Sequence, residues 1–381
     1  MKKKLLFISG NYFGQITGGA EYQSYLLSRE LLKRGYDIYY LFIDNGQEIK
    51  NDIGIKLIPI RKKEVLRKIV GNYFVIDYPK VIREIRKVRP DVIYNRTGFA
   101  YTGIAASYCK HNPCKMIWHV AHRNDLIPTT FKCKRTFPFE FLDKKFLEYG
   151  IENSDCIIAQ AKYQEDLLVR NYGTKCDRIV PSFHPVFEDK VRKRLPVKIV
   201  WIANIKEWKQ PELFIGLAKE LSYLPNVKFI MIGRQTNLLF QEEINKRIAE
   251  LSNLEYWGEK PFEDVNEILC DSHLFVNTSK YEGFPNTFIQ AWMREVPVVS
   301  LHVDPDDVLK KNKIGYHSGS FEQMVKDVEK LIHDGQLRKD MGKRAQKYAC
   351  QNHSLSNIEK IVELIENWTV SHKPCQNSIY S

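Results

Sequence analysis

Short apolar runs alternate with longer segments of helical spacing along most of this 381-residue chain. Ten of these runs have the length and continuity of buried strands. They are KLLFISG, DIYYLFI, DVIYNR, KMIWHVA and CIIAQ in the first half, and KIVWIAN, VKFIMIG, LEYWG, HLFVNTS and VPVVSL in the second. Near-continuous apolar strands separated by helices are typical of parallel sheets that are covered on both faces. The pattern therefore predicts an α/β protein.

The alternation restarts after a polar stretch, FEDKVRKRLP, at residues 187–196. A chain of 381 residues exceeds what one ordinary core accommodates. We therefore expect two doubly wound domains, over residues 1–190 and 196–355, with ligands bound in the cleft between them at the carboxyl ends of the strands. Residues 356–381 are expected to form a C-terminal helix and tail that crosses back to the first domain.

Composition excludes several classes of protein. An apolar content of 44%, with 20 Tyr and 20 Phe, is typical of packed domains and argues against disorder. The longest apolar runs have the length of strands, and the one that follows the first lysines is too short for a signal peptide. Eight cysteines without a CxxC pair favour reduced thiols in a cytoplasmic protein.

Basic residues are concentrated in the first half of the chain. Residues 1–195 hold 35 Lys and Arg against 21 Asp and Glu, a net charge of +14, whereas residues 196–381 hold 23 against 25, a net charge of −2. Residues 61–90 alone contribute ten basic and three acidic residues. Such an excess indicates an anionic partner: a nucleic acid, an anionic lipid or a phosphorylated substrate.

Two of the predicted strand-to-helix turns contain glycines. Gly18 and Gly19 open the helix in GNYFGQITGGAEYQSYLLSRELLKRG, and Gly283 lies in YEGFPNTFIQAW at residues 281–292. An anion at a helix N-terminus meets free amide groups and a favourable dipole. Two such helix starts that face one cleft favour a polyanion with a further group attached, such as a nucleoside diphosphate joined to a sugar.

Five segments carry a resemblance to a known family. They are TGGAEYQSYLLSRELLKRGYDIYYL, SDCIIAQAKYQEDLL, RIVPSFHPVF, VWIANIKEWKQPELFIGLAKEL and, most specifically, TSKYEGFPNTFIQAWMREVPVV. They resemble the retaining glycosyltransferases of the family-4 type, which have the GT-B fold of two Rossmann-like domains. The resemblance implies transfer of a sugar from a nucleotide-diphosphate donor with retention of its anomeric configuration.

Two positions depart from the family pattern. The second glutamate of the E-x7-E signature falls on Gln290, which can still accept one hydrogen bond from the ribose hydroxyls and donate another. The arginine of the diphosphate-binding segment falls on Asn204, whereas Lys209 keeps the position of the lysine, and Lys206 is a nearby substitute for the lost cation. This combination is similar to that of a polysaccharide-biosynthesis subgroup.

The resemblance also implies roles for individual residues. Glu282 would hold hydroxyls of the donor sugar, and Lys209 would neutralise the diphosphate as the glycosidic bond breaks. The alternatives are a helix N-terminal acid that compensates the dipole and a solvated surface lysine. The other donor-binding residues that the resemblance implies are Gly18, Gly19, Asn204, Lys206, Trp257, Gly258, Ser279, Gly283, Phe284, Pro285, Asn286 and Gln290.

In MIWHVAHRND the family places a histidine that faces the anomeric carbon of the donor. His119 matches one version of this pattern and His122 the other, and a structural role is the alternative for both. Asp125 would bind an acceptor hydroxyl, or else cap a helix. The resemblance implies no metal and no cofactor besides the donor, because the helix dipole, the backbone and a lysine stabilise the leaving group. The DPD at 304–306 is interpreted as a turn into a helix.

These features predict a hexosyl-type, retaining, metal-independent glycosyltransferase. Its acceptor would be a saccharide or lipid-linked saccharide in cell-surface polysaccharide synthesis, and the protein would be cytoplasmic and peripheral on the inner face of the membrane. Residues 61–90 form either surface helices packed on the first sheet or a contact with the anionic leaflet. Two other functions stay open: a nucleotide-sugar epimerase of the GT-B fold and a basic nucleic-acid-binding protein, although no recognised nucleic-acid motif is present.

Overall fold

The computed structural model describes residues 3–15, 18–51, 53–61, 73–127, 137–187, 191–235 and 238–370. The chain divides into two compact units. The first comprises Met1–Pro181 and Leu355–Ser381, and the second comprises Ser182–Ser354. The polar stretch at 187–196, where the sequence predicts the boundary, thus lies inside the second unit. The C-terminal segment groups with the first unit.

The polar stretch belongs to the second unit because its donors bond there. The amide of Arg192 donates to the carbonyl oxygen of Cys270 at 2.9 Å. The Lys193 ammonium donates to the carbonyl oxygen of Ser272 and, at 3.0 Å, to that of Arg294. Polar composition is typical of a linker, but these groups satisfy carbonyl oxygens at and beyond the end of a helix, which have no partner within the helix itself.

The first unit is a parallel sheet with flanking helices. Its strands are β1 (Lys4–Ile8), β2 (Asp37–Asp44), β3 (Lys56–Arg61), β4 (Val92–Arg96), β5 (Lys115–His119), β6 (Cys156–Ala159) and β7 (Arg178–Ile179), in the order β3-β2-β1-β4-β5-β6-β7. Its helices are α1 (Gly19–Lys33), α2 (Tyr78–Val88), α3 (Ala100–Lys110), α4 (Phe137–Glu152), α5 (Lys162–Tyr172) and, at the C-terminus, α13 (Asn357–Val370).

The second unit is built in the same way. Its strands are β8 (Val197–Ile202), β9 (Val227–Ile232), β10 (Leu254–Tyr256), β11 (Leu274–Asn277), β12 (Val298–Ser300) and β13 (Gly315–His317), in the order β10-β9-β8-β11-β12-β13. Its helices are α6 (Pro211–Glu220), α7 (Leu238–Ala249), α8 (Phe262–Asp271), α9 (Asn286–Trp292), α10 (Val308–Asn312), α11 (Phe321–His333) and α12 (Gly335–Asn352).

Both sheets have a switch point in their strand order. The chain adds two strands on one side of the first strand and then resumes on its other side, so that β4 pairs with β1 and β11 pairs with β8. Ligands of open α/β sheets bind outside the carboxyl ends of the strands at such a point. All ten strands that the sequence predicts are present, and the prediction of two doubly wound α/β domains is confirmed.

The inner strands carry the two cores. Every residue of β4, β6 and β11 is buried. Ile93 and Trp118 are central in the first core, and Ile199 and Val276 in the second. Burial on both faces explains why these strands show no alternation of apolar and polar residues and are polar only at their carboxyl ends.

Helix α2 accounts for the second part of the basic segment 61–90, whereas residues 62–72 lie outside the described residues. Val81 and Ile85 are fully buried in the first core, and the side chains of Arg83 and Lys87 are each 64% exposed. Residues 78–88 therefore form an amphipathic helix that packs on the first unit and leaves its charges in solvent. Across the described ranges, no helix combines the length and apolarity that crossing a bilayer requires.

Candidate active site

The turns after β8 and β11 bring Lys209 and Glu282 together beside the switch point of the second sheet. Lys209 ends a short 3₁₀ helix (Glu207–Lys209), and Glu282 lies between β11 and α9. The ammonium and the carboxylate form an ion pair, with the side chains 18% and 12% exposed. Ser279 Oγ donates a 2.7 Å hydrogen bond to the same carboxylate oxygen. Three of the predicted residues thus form one charged cluster where a ligand is expected.

Hydrogen bonds between the two turns hold this cluster in place. Thr278 Oγ1 donates to the carbonyl oxygen of Lys209 at 2.6 Å and accepts from Trp201 Nε1 at 2.9 Å. The amide of Lys280 donates to the carbonyl oxygen of Trp208 at 2.9 Å. Trp201 and Thr278 are buried, so the ion pair rests on a packed framework that limits its movement.

The two residues that directly precede Lys209 and Glu282 in the chain are aromatic and contact each other. Trp208 and Tyr281 stack with ring centroids 6.5 Å apart and ring planes 8° from parallel. Lys206 Nζ lies 4.8 Å from the centroid of the Trp208 ring, a position that the ring quadrupole favours for a cation. Lys206 was suggested from the sequence as the substitute for the arginine that Asn204 replaces. Its ammonium group thus lies over the indole ring of Trp208. Sequence reasoning missed this stack of Trp208 and Tyr281. The available signal was that an aromatic residue stands directly before Lys209 and another directly before Glu282.

A cation that sequence reasoning missed, Arg234, follows β9 and lies beside Asn204. The amide of Ile205 donates to the carbonyl oxygen of Arg234 at 2.8 Å. Within the described ranges no carboxylate pairs with this guanidinium, and its Nε has no hydrogen-bond partner. Gly233 permits this close approach, because an added Cβ would lie 1.7 Å from the carbonyl oxygen of Ala203.

The residues assigned to the base, Trp257 and Gly258, follow β10. Gly258 has a φ of +70°, and its carbonyl oxygen accepts from the amide of Gly233 at 2.9 Å. Trp257 Nε1 donates to Glu255 at 2.7 Å. The carboxyl ends of β8, β9 and β10 are therefore tied to one another, which places these residues on the same edge of the sheet as Lys209.

The start of α9 is more enclosed than the sequence suggested. Gly283, Phe284 and Pro285 are buried, and the Phe284 ring lies 4.8 Å from the ring of His353. The Asn286 Oδ1 is hydrogen-bonded to His184 Nε2 at 2.9 Å. The side chains of Phe284 and Asn286 thus serve the packing of this unit. Contact of the backbone with a donor stays a prediction.

Gln290 lies on the buried side of α9 and is 4% exposed. Its Nε2 donates to Asn266 Oδ1 of α8 at 3.0 Å. The amide nitrogen of Gln290, which was expected to donate a hydrogen bond to the ribose, therefore donates to Asn266 instead. A contact with the ribose stays a prediction, and it would fall to the amide oxygen.

In the first unit, the start of α1 already has an anion of its own. A Cβ added to Gly18 would lie 2.2 Å from Glu21 Oε2, and Asn11 Nδ2 donates to Glu21 Oε1 at 3.2 Å. A carboxylate in this position compensates the helix dipole and repels a second anion. Anion binding by Gly18 and Gly19 stays a prediction that this glutamate disfavours.

His119 ends β5 and is fully buried. Its Nδ1 lies 2.7 Å from Tyr94 Oη and 3.0 Å from Arg96 Nη1, both of β4. Burial, and next the positive charge of Arg96, hold the pKa of His119 well below its usual range. The imidazole is therefore neutral at physiological pH.

The turn after β5 holds His122 and Asp125. Asp125 Oδ2 accepts from the amides of Ala121 at 3.1 Å and His122 at 2.9 Å. His122 Nδ1 accepts from the amide of Asn124 at 3.1 Å. Burial raises the pKa of Asp125. The Asp125 carboxylate caps its own turn, which was the alternative to its role in acceptor binding, and the latter stays a prediction.

The DPD sequence forms the turn that was expected. Pro305–Asp307 is a 3₁₀ helix that leads into α10, and Asp304 Oδ1 accepts from the amide of Leu309 at 2.8 Å. Among the residues that the structure describes, no three His, Cys, Asp or Glu side chains are grouped so as to hold a metal ion. Metal independence stays a prediction.

Two family models match this chain. "Glycosyltransferase Family 4" matches residues 17–181, and "Glycosyl transferases group 1" matches residues 186–348. An uncharacterized glycosyltransferase of Methanocaldococcus jannaschii is 23% identical over 401 residues, which cover 96% of this chain and 100% of that protein. The sulfoquinovosyl transferase SQD2 of Arabidopsis thaliana is 23% identical over 297 residues, which cover 70% of this chain and 54% of that protein. The chain belongs to the glycosyltransferases that combine these two domains.

Solved structures share the fold. Sucrose-phosphate synthase from Thermosynechococcus elongatus has a TM-score of 0.77 at 13% identity, over 97% of this chain and 100% of that one. Anabaena HepE in complex with UDP and glucose has a TM-score of 0.72 at 15% identity, over 96% of this chain and 100% of that one. The two Rossmann-like units are those of the GT-B fold, and this prediction is confirmed.

Proposed function

We propose that this glycosyltransferase moves a hexosyl-type sugar from a nucleoside-diphosphate donor to a hydroxyl group of a saccharide or lipid-linked saccharide, with retention and without a metal ion. The observation that carries the proposal is the pair of Lys209 and Glu282 at the switch point of the second sheet. A diphosphate requires a cation, and sugar hydroxyls require a hydrogen-bond acceptor. This pair supplies both in one cluster.

In the proposed reaction, the donor replaces the ion pair between Lys209 and Glu282 with its own contacts to each of these side chains. When the donor binds, the diphosphate takes the ammonium of Lys209 and sugar hydroxyls take the carboxylate of Glu282. The bond between the anomeric carbon and the phosphate oxygen then breaks, and Lys209 stabilises the charge that grows on the leaving group. The acceptor oxygen bonds to the anomeric carbon on the same face, and its proton passes to the departing phosphate.

Arg234 supplies the second cation that Asn204 does not provide. Its backbone is bonded beside Asn204 at 2.8 Å, and its guanidinium has no carboxylate partner in the described part of the chain. A guanidinium matches two phosphate oxygens at once. Arg234 therefore suits the diphosphate better than Lys206, whose ammonium lies over Trp208.

A thermal-shift screen tests the donor. UDP is the first probe, because the Anabaena HepE and Staphylococcus aureus TarM structures contain it, and other nucleoside diphosphates and nucleotide sugars follow. A ligand that binds only the folded chain raises its melting temperature. Lys209→Ala and Arg234→Gln should each reduce the shift, and Lys280→Ala, in the same turn as Glu282, is the control. Absence of any shift across the screen would contradict a nucleotide donor.

Product analysis tests the transfer separately. The donor that gives the largest shift is incubated with oligosaccharide acceptors, and NMR of the product shows the configuration of the new linkage. Retention is expected. A product of inverted configuration would contradict the same-face mechanism and leave the transfer itself intact, and conversion of the donor to an epimer without transfer would favour the epimerase.

We further propose that the protein is cytoplasmic and binds the anionic inner face of the membrane through its basic half, where a lipid-linked acceptor for cell-surface polysaccharide is extended. The net charge of +14 over residues 1–195 supports this. Since α2 uses its apolar face in the core, this contact is electrostatic, at about 1 kcal/mol per basic residue near the surface.

Vesicle flotation tests this location. Binding to anionic vesicles should weaken as salt rises and fall when Arg61, Lys62, Lys63, Arg67 and Lys68 are changed to Gln. The matched control changes five exposed lysines of the second unit, Lys310, Lys311, Lys313, Lys339 and Lys343, to Gln. If the protein ignores anionic vesicles at low salt, the basic half serves a phosphorylated soluble acceptor.

A further inference from the structure

Arg96 is a buried cation whose side-chain hydrogen-bond partners are neutral. It ends β4 beside the switch point of the first sheet, is 1% exposed, and pairs in register with His119 of β5. Its Nη1 lies 3.3 Å from Tyr94 Oη and 3.0 Å from His119 Nδ1. Over the described ranges, no carboxylate forms an ion pair with it. Removing a guanidinium from water is costly, so the acceptors that it does have are structurally important.

The contact between Arg96 and His119 fixes the position of the imidazole proton. A guanidinium only donates hydrogen bonds and keeps its charge in proteins. His119 Nδ1 must therefore accept, which it does only when it carries no proton, and the neutral ring then carries its proton on Nε2. Tyr94 can donate or accept, so its hydroxyl group fits either tautomer and does not decide between them.

The doubly protonated ring is disfavoured by the same geometry. It would direct an N–H group of one cation toward an N–H group of another across 3.0 Å, in a place where burial already penalises charge. His119 Nε2 is enclosed and forms no hydrogen bond of ordinary geometry in the described part of the chain, and the backbone of Val180 lies close enough to the ring to raise its pKa. The acceptor nitrogen of the ring is thus occupied, and its donor nitrogen lies inside the fold.

We propose that Arg96 is a positioning residue that holds His119 in the neutral tautomer protonated at Nε2, so that the ring acts as a hydrogen-bond donor through Nε2 and accepts no proton there. The consequence for the reaction rests on the proposed function, whereas the tautomer does not. A ring fixed in this tautomer is excluded as the base that takes the proton of the acceptor hydroxyl.

NMR of the imidazole nitrogens tests the tautomer in the full chain without any substrate. With histidine labelled in its ring nitrogens, long-range proton–nitrogen spectra distinguish the two neutral tautomers and the doubly protonated ring. At neutral pH the wild type should show the Nε2-protonated form. Tyr94→Phe should show the same form, because Arg96 remains. Arg96→Lys should keep it, since lysine also only donates, and Arg96→Met should add Nδ1-protonated and doubly protonated forms.

An Nδ1-protonated or doubly protonated His119 in the wild type would overturn the proposal, and so would an Arg96→Met spectrum identical to that of the wild type. If Arg96→Met does not fold, the wild type and Tyr94→Phe still decide, because both must show the same tautomer. The nucleotide screen and this experiment fail independently, since no donor or acceptor is present in the NMR sample.

Discussion

Lys209 and Glu282 form an ion pair between the turns that follow two neighbouring strands, β8 and β11, and Ser279 donates to the same carboxylate at 2.7 Å. The two charges lie 73 positions apart in the chain. They meet because parallel strands end on the same edge of a sheet and the strand order places β8 beside β11. Removing either one leaves the other charge unpaired in a mostly buried place, which is costly.

Replacing Glu282 should impair the reaction more than the fold. We expect Glu282→Ala to lower turnover at least about 100-fold, or about 2.7 kcal/mol of transition-state stabilisation, and Glu282→Gln to lose less because its amide oxygen can still accept from Ser279. Steady-state kinetics measure the loss, and thermal unfolding shows that the variants are folded. Near-normal turnover of Glu282→Ala would remove this residue from the site.

Replacing Lys209 should affect turnover more than donor affinity. The charge on the leaving diphosphate grows as the bond breaks, so Lys209 binds the transition state more tightly than the donor. We expect Lys209→Ala to lower kcat by a larger factor than it raises the donor Kd. Lys280→Ala, on the same turn as Glu282, is the control. If only the Kd changes, another cation carries the leaving-group charge, and Arg234 becomes the first candidate.

The pair of Gln290 and Asn266 predicts how the signature position responds to substitution. Gln290→Glu should be tolerated, because Asn266 can turn its amide and donate where it now accepts. Asn266→Asp combined with Gln290→Glu should destabilise the second unit, since two carboxylates then face each other. Melting temperatures of the single and double variants measure the coupling. A double variant as stable as the wild type would show that this contact is unimportant.

Variants of His119 show whether this residue acts as a hydrogen-bond donor or as a proton acceptor in the reaction. A glutamine side chain donates a hydrogen bond but takes no proton near neutral pH, whereas leucine does neither. If His119 is a donor, His119→Gln should keep turnover within about 10-fold of the wild type, and His119→Leu should lose about 100-fold or more. Equal and large losses in both variants would support a proton acceptor. Arg96→Lys should follow the wild type more closely than Arg96→Met.

Buried histidines of the second unit predict a pH dependence of stability. Burial lowers the pKa of His184 to about 3 and that of His353 to about 4, whereas in the unfolded chain both histidines have a pKa of about 6.5. As the pH falls below about 6.5, the unfolded state binds more protons than the folded state, so the free energy of unfolding decreases. Above that pH the penalty is absent.

The expected loss from His353 at about pH 5 is about 2 kcal/mol. His353→Gln keeps a donor for the carbonyl oxygen of Ser182, which Nδ1 now contacts at 2.8 Å, and does not titrate. Its melting temperature should therefore decrease less between neutral and acid pH than that of the wild type. His111→Gln, at an exposed position, is the control. Parallel curves for wild type and His353→Gln would contradict a neutral buried His353.

The strands that the sequence revealed are those whose side chains are buried on both faces. β6 reads as a continuous apolar run, and β4 and β11 are apolar except at their carboxyl ends, because every residue in these strands is buried. Three strands were missed: β3, β7 and β13. Each lies at the edge of its sheet, and an edge strand has one neighbour and more exposed positions, as the pattern in β3 shows. Of the edge strands, β10 was predicted because LEYWG is itself apolar.

The sequence by itself determined which residue types lie near each strand end, because motif and strand are adjacent in the chain. Only the tertiary structure decided which side chains from different strand ends become partners. Lys209 pairs with Glu282, and Arg96 orients His119 from the next strand. These contacts join residues 73 and 23 positions apart. Such contacts depend on strand order and register, which residue spacing along one chain does not encode locally.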